Sequence, residues 1–183
     1  MPSLTVWLYP TAFGAGTGEL HLRALAEHDS IRVHDAATIM WMPHDPAPRI
    51  RPVEHLGAKA AGRGAIWGAL VGLVLLNPVA GAAVGAGAGA ATQRLRRTGL
   101  DPEFVEKMRE RVAPGTSALL VLSSGADPMA VRRVLHGSEA VLLHAELSDE
   151  GRRVLDEMAR EQAHPSEPTV ERRDGDRDDD DRG

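Results

Sequence analysis

The sequence contains no cysteine, which excludes disulfides, thiol nucleophiles and cysteine-ligated zinc and fits a reducing compartment. Aromatic residues are scarce. Three Trp, two Phe and one Tyr stand against 19 Gly in 183 residues, so small side chains take the place that aromatic bulk usually fills. The start, Met1-Pro2-Ser3-Leu4, lacks a basic stretch followed by an apolar run and a small-residue cleavage site, so export by the usual signal is not expected. A basic footprint is missing too: the net charge is −5, and His164 to Gly183 holds eight acidic against four basic residues, leaving the body nearly neutral. That balance gives no support for nucleic acid as a partner. The segment 164–183, with Pro165, Pro168 and the run Asp178 to Asp181, has almost nothing apolar to bury and reads as a disordered acidic tail.

The rest alternates between strand and helix patterns. Leu4, Val6 and Leu8 alternate with Thr5, Trp7 and Tyr9, the period of a strand. After a flexible glycine-rich turn (Gly14, Gly16, Gly18), Leu20, Leu22, Leu25 and Ala26 predict a short amphipathic helix. Ile31 to Met42 reads as a second strand, and Pro43, Pro46, Pro48 and Pro52 make an irregular connector. Further on, Asp101 caps a helix that starts at Pro102 and aligns Phe104, Val105, Met108 and Val112 on one face. Ala118 to Leu122 is a third strand, Asp127-Pro128 opens another helix, and Ala140 to Ala145 is a fourth strand. A last helix follows Ser148, with Val154, Leu155 and Met158 as its stripe. Unbroken apolar runs imply strands covered on both faces, whereas the alternation in the first strand leaves open whether one sheet face is wetter. Two β-α-β units predict an α+β fold, a ferredoxin-like split βαβ sandwich with a Gly/Ala-rich helical hairpin inserted between strands two and three. The expected divisions are 1–53 for the first βαβ half and 54–98 for the hairpin. They continue with 99–163 for the linker helix, second βαβ half and C-terminal helix, and 164–183 for the tail.

The insertion carries the functional reading. Gly64 to Gln93 is free of charge, but Asn77-Pro78 breaks it, because an interior proline deletes a helical hydrogen bond and costs roughly 3 kcal/mol. Two helices of about 13 to 15 residues would each reach only about 20 Å, short of a hydrocarbon core of roughly 30 Å. Lys59 and Arg63 precede the run and Arg94, Arg96 and Arg97 follow it, so both ends are basic, as expected of a hairpin that enters and leaves from the cytoplasmic side. Gly64, Gly68 and Gly72, then Gly81, Gly85 and Gly89, recur every four residues and form flat stripes for close helix packing. Bulky Ile66, Trp67, Leu70, Val71, Leu73, Val74, Leu75 and Leu76 cover the remaining surface of the first half, where a solvated linker would not carry them.

Several blocks resemble a known family. They are Arg63-Gly64-Ala65-Ile66-Trp67-Gly68-Ala69-Leu70-Val71-Gly72, Leu76-Asn77-Pro78-Val79-Ala80-Gly81-Ala82-Ala83-Val84-Gly85-Ala86, Gly99-Leu100-Asp101 with Phe104, and Pro114-Gly115-Thr116-Ser117-Ala118-Leu119. Together they are similar to the bacterial domain-of-unknown-function family 1269 over about residues 55 to 158. The resemblance implies membrane association and assigns no reaction, cofactor or catalytic residue. The glycine-rich turn, the proline-rich connector and the acidic tail depart from the family pattern.

Other constellations are weak. Gly14, Gly16 and Gly18 follow a strand, but the spacing is G-x-G-x-G, and Glu19 stands where a dinucleotide fingerprint needs its third glycine. The eight histidines include no H-E-x-x-H pair, and His21 and His28 read as helix-surface and helix-terminus residues. Thr116, Ser117, Ser123 and Ser124 flank a strand without a nucleophile elbow and read as turn chemistry. Trp7 and Tyr9 are expected in core or dimer packing rather than on a ligand. The sequence thus predicts a non-enzymatic, cofactor-free protein at the cytoplasmic face of the inner membrane, partnered by that membrane, by itself as a homo-oligomer, or by both. The alternative is a soluble cytoplasmic binding or regulatory module whose hairpin folds against its own sheet. That alternative would bury Trp67 and Leu70 to Leu76 in its own core.

Overall fold

The computed structural model describes residues 3–54 and 97–151, together with Leu56, Trp67, Val71, Gln93, Arg153, Val154 and Glu157. Its elements are β1 (Ser3–Tyr9), α1 (Gly14–Glu27), β2 (Arg32–Met40), β3 (Arg49–Pro52), α2 (Pro102–Arg111), β4 (Ser117–Ser124), α3 (Pro128–Leu135) and β5 (Val141–Glu146). Trp67, Val71, Gln93 and Arg97 are helical as well, and so are Asp149 to Gly151, Arg153, Val154 and Glu157. The architecture is α+β. Five antiparallel strands form one sheet in the order β3-β2-β4-β1-β5. Strands from before and after the segment 55–96 are neighbours in that sheet, so the segment leaves and rejoins one body.

Both faces of the central strands are dry, while β5, expected to be covered on both faces, alternates half-buried with exposed residues. Leu4, Val6 and Leu8 of β1 share one cluster with Ala37 and Ile39 of β2, Ala118 and Leu120 of β4, and Phe104, Val105 and Met108 of α2. Trp7 and Tyr9 point the other way, into a cluster with Ala15, Leu22 and Leu25 of α1, Leu119 and Val121 of β4, and Ala130 of α3. The alternation in β1 therefore separates two covered faces. Trp7 and Tyr9 are buried core residues, 1% and 7% exposed.

Three expectations need correction. The glycine-rich turn is the first part of α1, which begins at Gly14 and runs to Glu27. An added Cβ on Gly14 would lie 2.7 Å from Tyr9 Cγ and one on Gly18 would lie 3.0 Å from Tyr9 Cζ, whereas one on Gly16 would meet nothing. Gly14 and Gly18 thus let the helix backbone lie directly on the Tyr9 side chain. The earlier start also moves the buried stripe to Ala15, Gly18, Leu22 and Leu25 and leaves Leu20 66% exposed. In addition, the proline-rich connector contains β3. Its Pro52 stands opposite Ala37, and the Val53 N–H donates to the Ala36 carbonyl at 2.9 Å. An edge strand tolerates a proline because only one of its sides is in the ladder. Finally, β2 is interrupted by a bulge between Val33 and Asp35, and the segment expected to hold the hairpin falls between β3 and β4.

Caps follow the sequence closely. The Asp101 carboxylate accepts from the Glu103 N–H at 2.7 Å, and that of Asp127 accepts from the Met129 N–H at 2.9 Å. In each helix a proline follows the cap, where its missing N–H costs nothing.

The Tyr9 contacts generate two predictions. Gly18→Ala should destabilise the fold by about 1–3 kcal/mol through overpacking, while Gly16→Ala should be neutral or stabilise by up to about 1 kcal/mol from helix propensity. Paired chemical denaturation curves check this, and equal midpoints would refute it. Burial pushes the Tyr9 phenol from its usual 10.0 up to about 12. The unfolded chain then loses this proton first, so stability should fall as pH rises from about 10 to about 12. Tyr9 is the single tyrosine, so tyrosinate absorbance reports it alone. Its hydroxyl is buried without a partner among the described residues, so Tyr9→Phe should keep neutral-pH stability and flatten this part of the alkaline loss.

Candidate functional site

The face of the sheet under α2 is where Trp67 and Val71, from the segment between β3 and α2, join the strands. The Asp101 cap and Pro102 fix the start of α2, which sets Phe104, Val105 and Met108 down on β1 and β4. Leu100 and Leu147 extend this layer. Beside them lies Thr98, 0% exposed, against the start of the last helical stretch. An added Cβ on Gly151 would strike the Thr98 carbonyl, so glycine permits that close approach. The Ser148 hydroxyl accepts from the Gly151 N–H at 3.0 Å and caps the stretch.

Trp67 and Val71 belong to the same cluster, 1% and 2% exposed. They are one helical turn apart, so a single helix face is turned to the sheet. The Trp67 indole N–H has no acceptor among the described residues. Trp67 had been expected on a membrane or partner surface, and it is core instead. Of the basic flanks, Arg97 is described: it is exposed and lies 3.5 Å from the Glu150 carboxylate, an exposed pair worth little. Lys59, Arg63, Arg94 and Arg96 lie outside the described residues, as do Gly64, Gly68, Gly72, Gly81, Gly85, Gly89, Asn77, Pro78, Ile66, Leu70, Leu73, Val74, Leu75 and Leu76. The expected acidic tail, 164–183, also lies outside them.

A second polar group was missed by sequence reasoning. The His34 ring Nε2 is 2.8 Å from the Ser124 hydroxyl, joining the bulge of β2 to the end of β4. Next to it Asp35 is 5% exposed, and its carboxylate accepts from the Ala36 N–H at 2.9 Å. Ninety positions separate His34 from Ser124, and the antiparallel pairing of β2 with β4 around the bulge brings them together. A serine bonded to a histidine can act as a nucleophile with its base, and it can equally clamp two strand ends. Ser117 is a clamp of that second kind, accepting from the Ala15 N–H at 2.9 Å and donating to the Thr11 carbonyl at 2.6 Å. Thr116 does serve its turn, donating to the Ala113 carbonyl at 2.8 Å.

The remaining candidates have other duties. Gly14, Gly16 and Gly18 sit inside a helix, and Glu19 pairs with Arg23 within α1 at 2.8 Å and ties that helix to β3 through Arg51 at 3.2 Å. His28 ends α1, its ring nitrogen donating to the Ala24 carbonyl at 2.7 Å. Among the described residues no three His, Asp or Glu side chains gather as a metal site. No described helix is long and apolar enough to cross a membrane.

A family model described as "Protein of unknown function (DUF1269)" matches residues 61–160. The match takes in Trp67, Val71, α2, β4, α3 and β5 and leaves out β1, α1, β2 and β3. No curated protein and no solved structure matches the chain.

If Trp67 anchors its segment on the sheet, Trp67→Ala should cost about 3–5 kcal/mol, the usual price of emptying so large a core site. Val71→Ala should cost less. Equilibrium unfolding measures both, and a Trp67→Ala protein as stable as its parent would show that the indole is not docked.

Proposed function

The chain belongs to the DUF1269 family, and on that footing we propose that it works without chemistry of its own, as a ferredoxin-like body that holds a glycine-zipper helical hairpin for helix packing. The packing partner is a membrane at its cytoplasmic face or further copies of the chain. The four-residue glycine spacing and the return of the segment 55–96 to one sheet carry this reading. The burial of Trp67 and Val71 is what the soluble alternative expects, and it fits the hairpin only as a base held on the sheet by one helix face. On a helical period Gly68 and Gly72 follow Trp67 and Val71 by one residue each, so the glycine stripe falls about a quarter-turn from the docked face. A stripe so placed flanks the sheet contact and stays available to another helix.

The strand order favours the ferredoxin-like description. Setting aside the short edge strand β3, the order β2-β4-β1-β5 with two β-α-β units is that of a split βαβ sheet. The common sheet also supports a hairpin over a straight span, because an odd number of crossings in 55–96 would put halves of one sheet on opposite sides of a bilayer.

A second reading draws on the burial of Trp67 and Val71, which it expects. In a soluble binding or regulatory module the hairpin would follow Trp67 onto the sheet along its whole length. Fractionation of the untagged protein with alkaline carbonate extraction separates the two: retention in the membrane pellet supports the hairpin reading, and full recovery in the soluble fraction of a monomer overturns it. In the retained or self-associated protein, Gly68→Leu with Gly85→Leu should reduce cross-linked oligomer in detergent while far-UV spectra stay unchanged. An unaltered oligomer would remove the glycine stripes from the account.

A further inference from the structure

The two edges of the sheet are built differently. The β3 edge is four residues long and carries Arg49, Arg51 and Pro52, with the arginine side chains 76% and 71% exposed. Short length, exposed cations and proline are devices that stop a sheet edge from pairing with another chain. The β5 edge has none of them. It is six residues, Val-Leu-Leu-His-Ala-Glu, in unbroken register with β1 from Val141 to Glu146, and its outer side pairs with no strand among the described residues.

The flanks of β5 are also open. On one side, α3 packs against α1 and leaves a cleft of about 690 Å³ between itself and β5, lined by Val131, Leu135, Leu142 and His144. On the other, a cleft of about 290 Å³ lies between Phe104 and Lys107 of α2 and Leu143. Leu142 is 43% exposed, one of four large apolar side chains left so open among the described residues.

We propose that β5 pairs antiparallel with β5 of a second copy, about a two-fold axis through Leu143, joining two five-stranded sheets into one. The strand's own sequence selects this occupant and this register. Pairing that keeps each sheet face continuous puts residues of like face opposite each other, so a shift by one residue is forbidden. With Leu143 at the centre, Leu143 faces its own copy and Val141 faces Ala145, extending the apolar row packed on the α2 cluster. On the other face Leu142 stands opposite His144. Centring on His144 instead would set His144 against itself and Leu142 against Glu146, which is the poorer match. This interface is separate from the glycine hairpin and does not depend on it.

The test uses the full chain, which has no native cysteine. Leu143→Cys should form a disulfide-linked dimer on mild oxidation, since facing residues of antiparallel strands have Cα atoms about 4.5–5.5 Å apart, within disulfide reach. Adding Leu142→Lys and His144→Lys sets like charges directly opposite and should abolish the cross-link. Leu142→Glu with His144→Lys sets opposite charges there and should restore it. In the Gly68→Leu, Gly85→Leu background the cross-link should persist, which separates this interface from hairpin assembly. A Leu143→Cys chain that stays monomeric on oxidation, or a cross-link indifferent to the two lysines, overturns the proposal.

Discussion

The central strand β4 must be kept dry on both faces, and the rest of the fold follows from how that is done. Ala118 and Leu120 point to one side, Leu119 and Val121 to the other, and all four are 0% exposed. A strand apolar on both faces needs a layer on each. One layer comes from α1 and α3. The other comes from α2 together with Trp67 and Val71, so the segment between β3 and α2 helps complete the core that the strands require.

The two layers differ in how closely they approach. On the α1 side the helix backbone comes near enough to Tyr9 that only glycine fits at positions 14 and 18. Two helical glycines forgo about 1 kcal/mol each in propensity, and the close contact with the aromatic ring offsets this. The same approach buries the phenol and raises its pKa. On the other side a large indole fills the space under a helix that begins with a well-formed cap. Small residues on one face and a large one on the other serve a single sheet.

Legibility in the sequence tracks how local each feature is. The Asp101-Pro102 and Asp127-Pro128 starts were readable because capping involves adjacent residues, and both bonds are present at 2.7 and 2.9 Å. The unbroken run from Ala118 to Leu122 was readable as a doubly covered strand because burial on two faces removes the polar alternation. The glycines of α1 were misread because their cause is Tyr9, five and nine positions away and on another element. β3 was hidden because proline content argued against a strand, while an edge position relaxes that objection. The His34 and Ser124 pair had no local signal at all, since a bulge and ninety intervening positions produce it. Trp67 was expected on a membrane or partner surface because a bulky apolar run has no local signal for what will cover it. Its partner, however, is the sheet of its own chain.

Why a small sheet domain can carry so long an interruption between β3 and α2 is a matter of scale. Closing a loop costs entropy only logarithmically, about 0.6 kcal/mol per doubling, so lengthening a short connection to the span of 55–96 costs on the order of 2 kcal/mol. Burying one large apolar side chain from that segment contributes about 1.5–3 kcal/mol, and Trp67 and Val71 are two such side chains. By these figures the two docked side chains more than offset the closure entropy of the segment. Later residues in the segment are then not required to stabilise the sheet. Their composition is then free of the needs of the core that anchors them, and the four-residue glycine spacing is a pattern those needs do not explain.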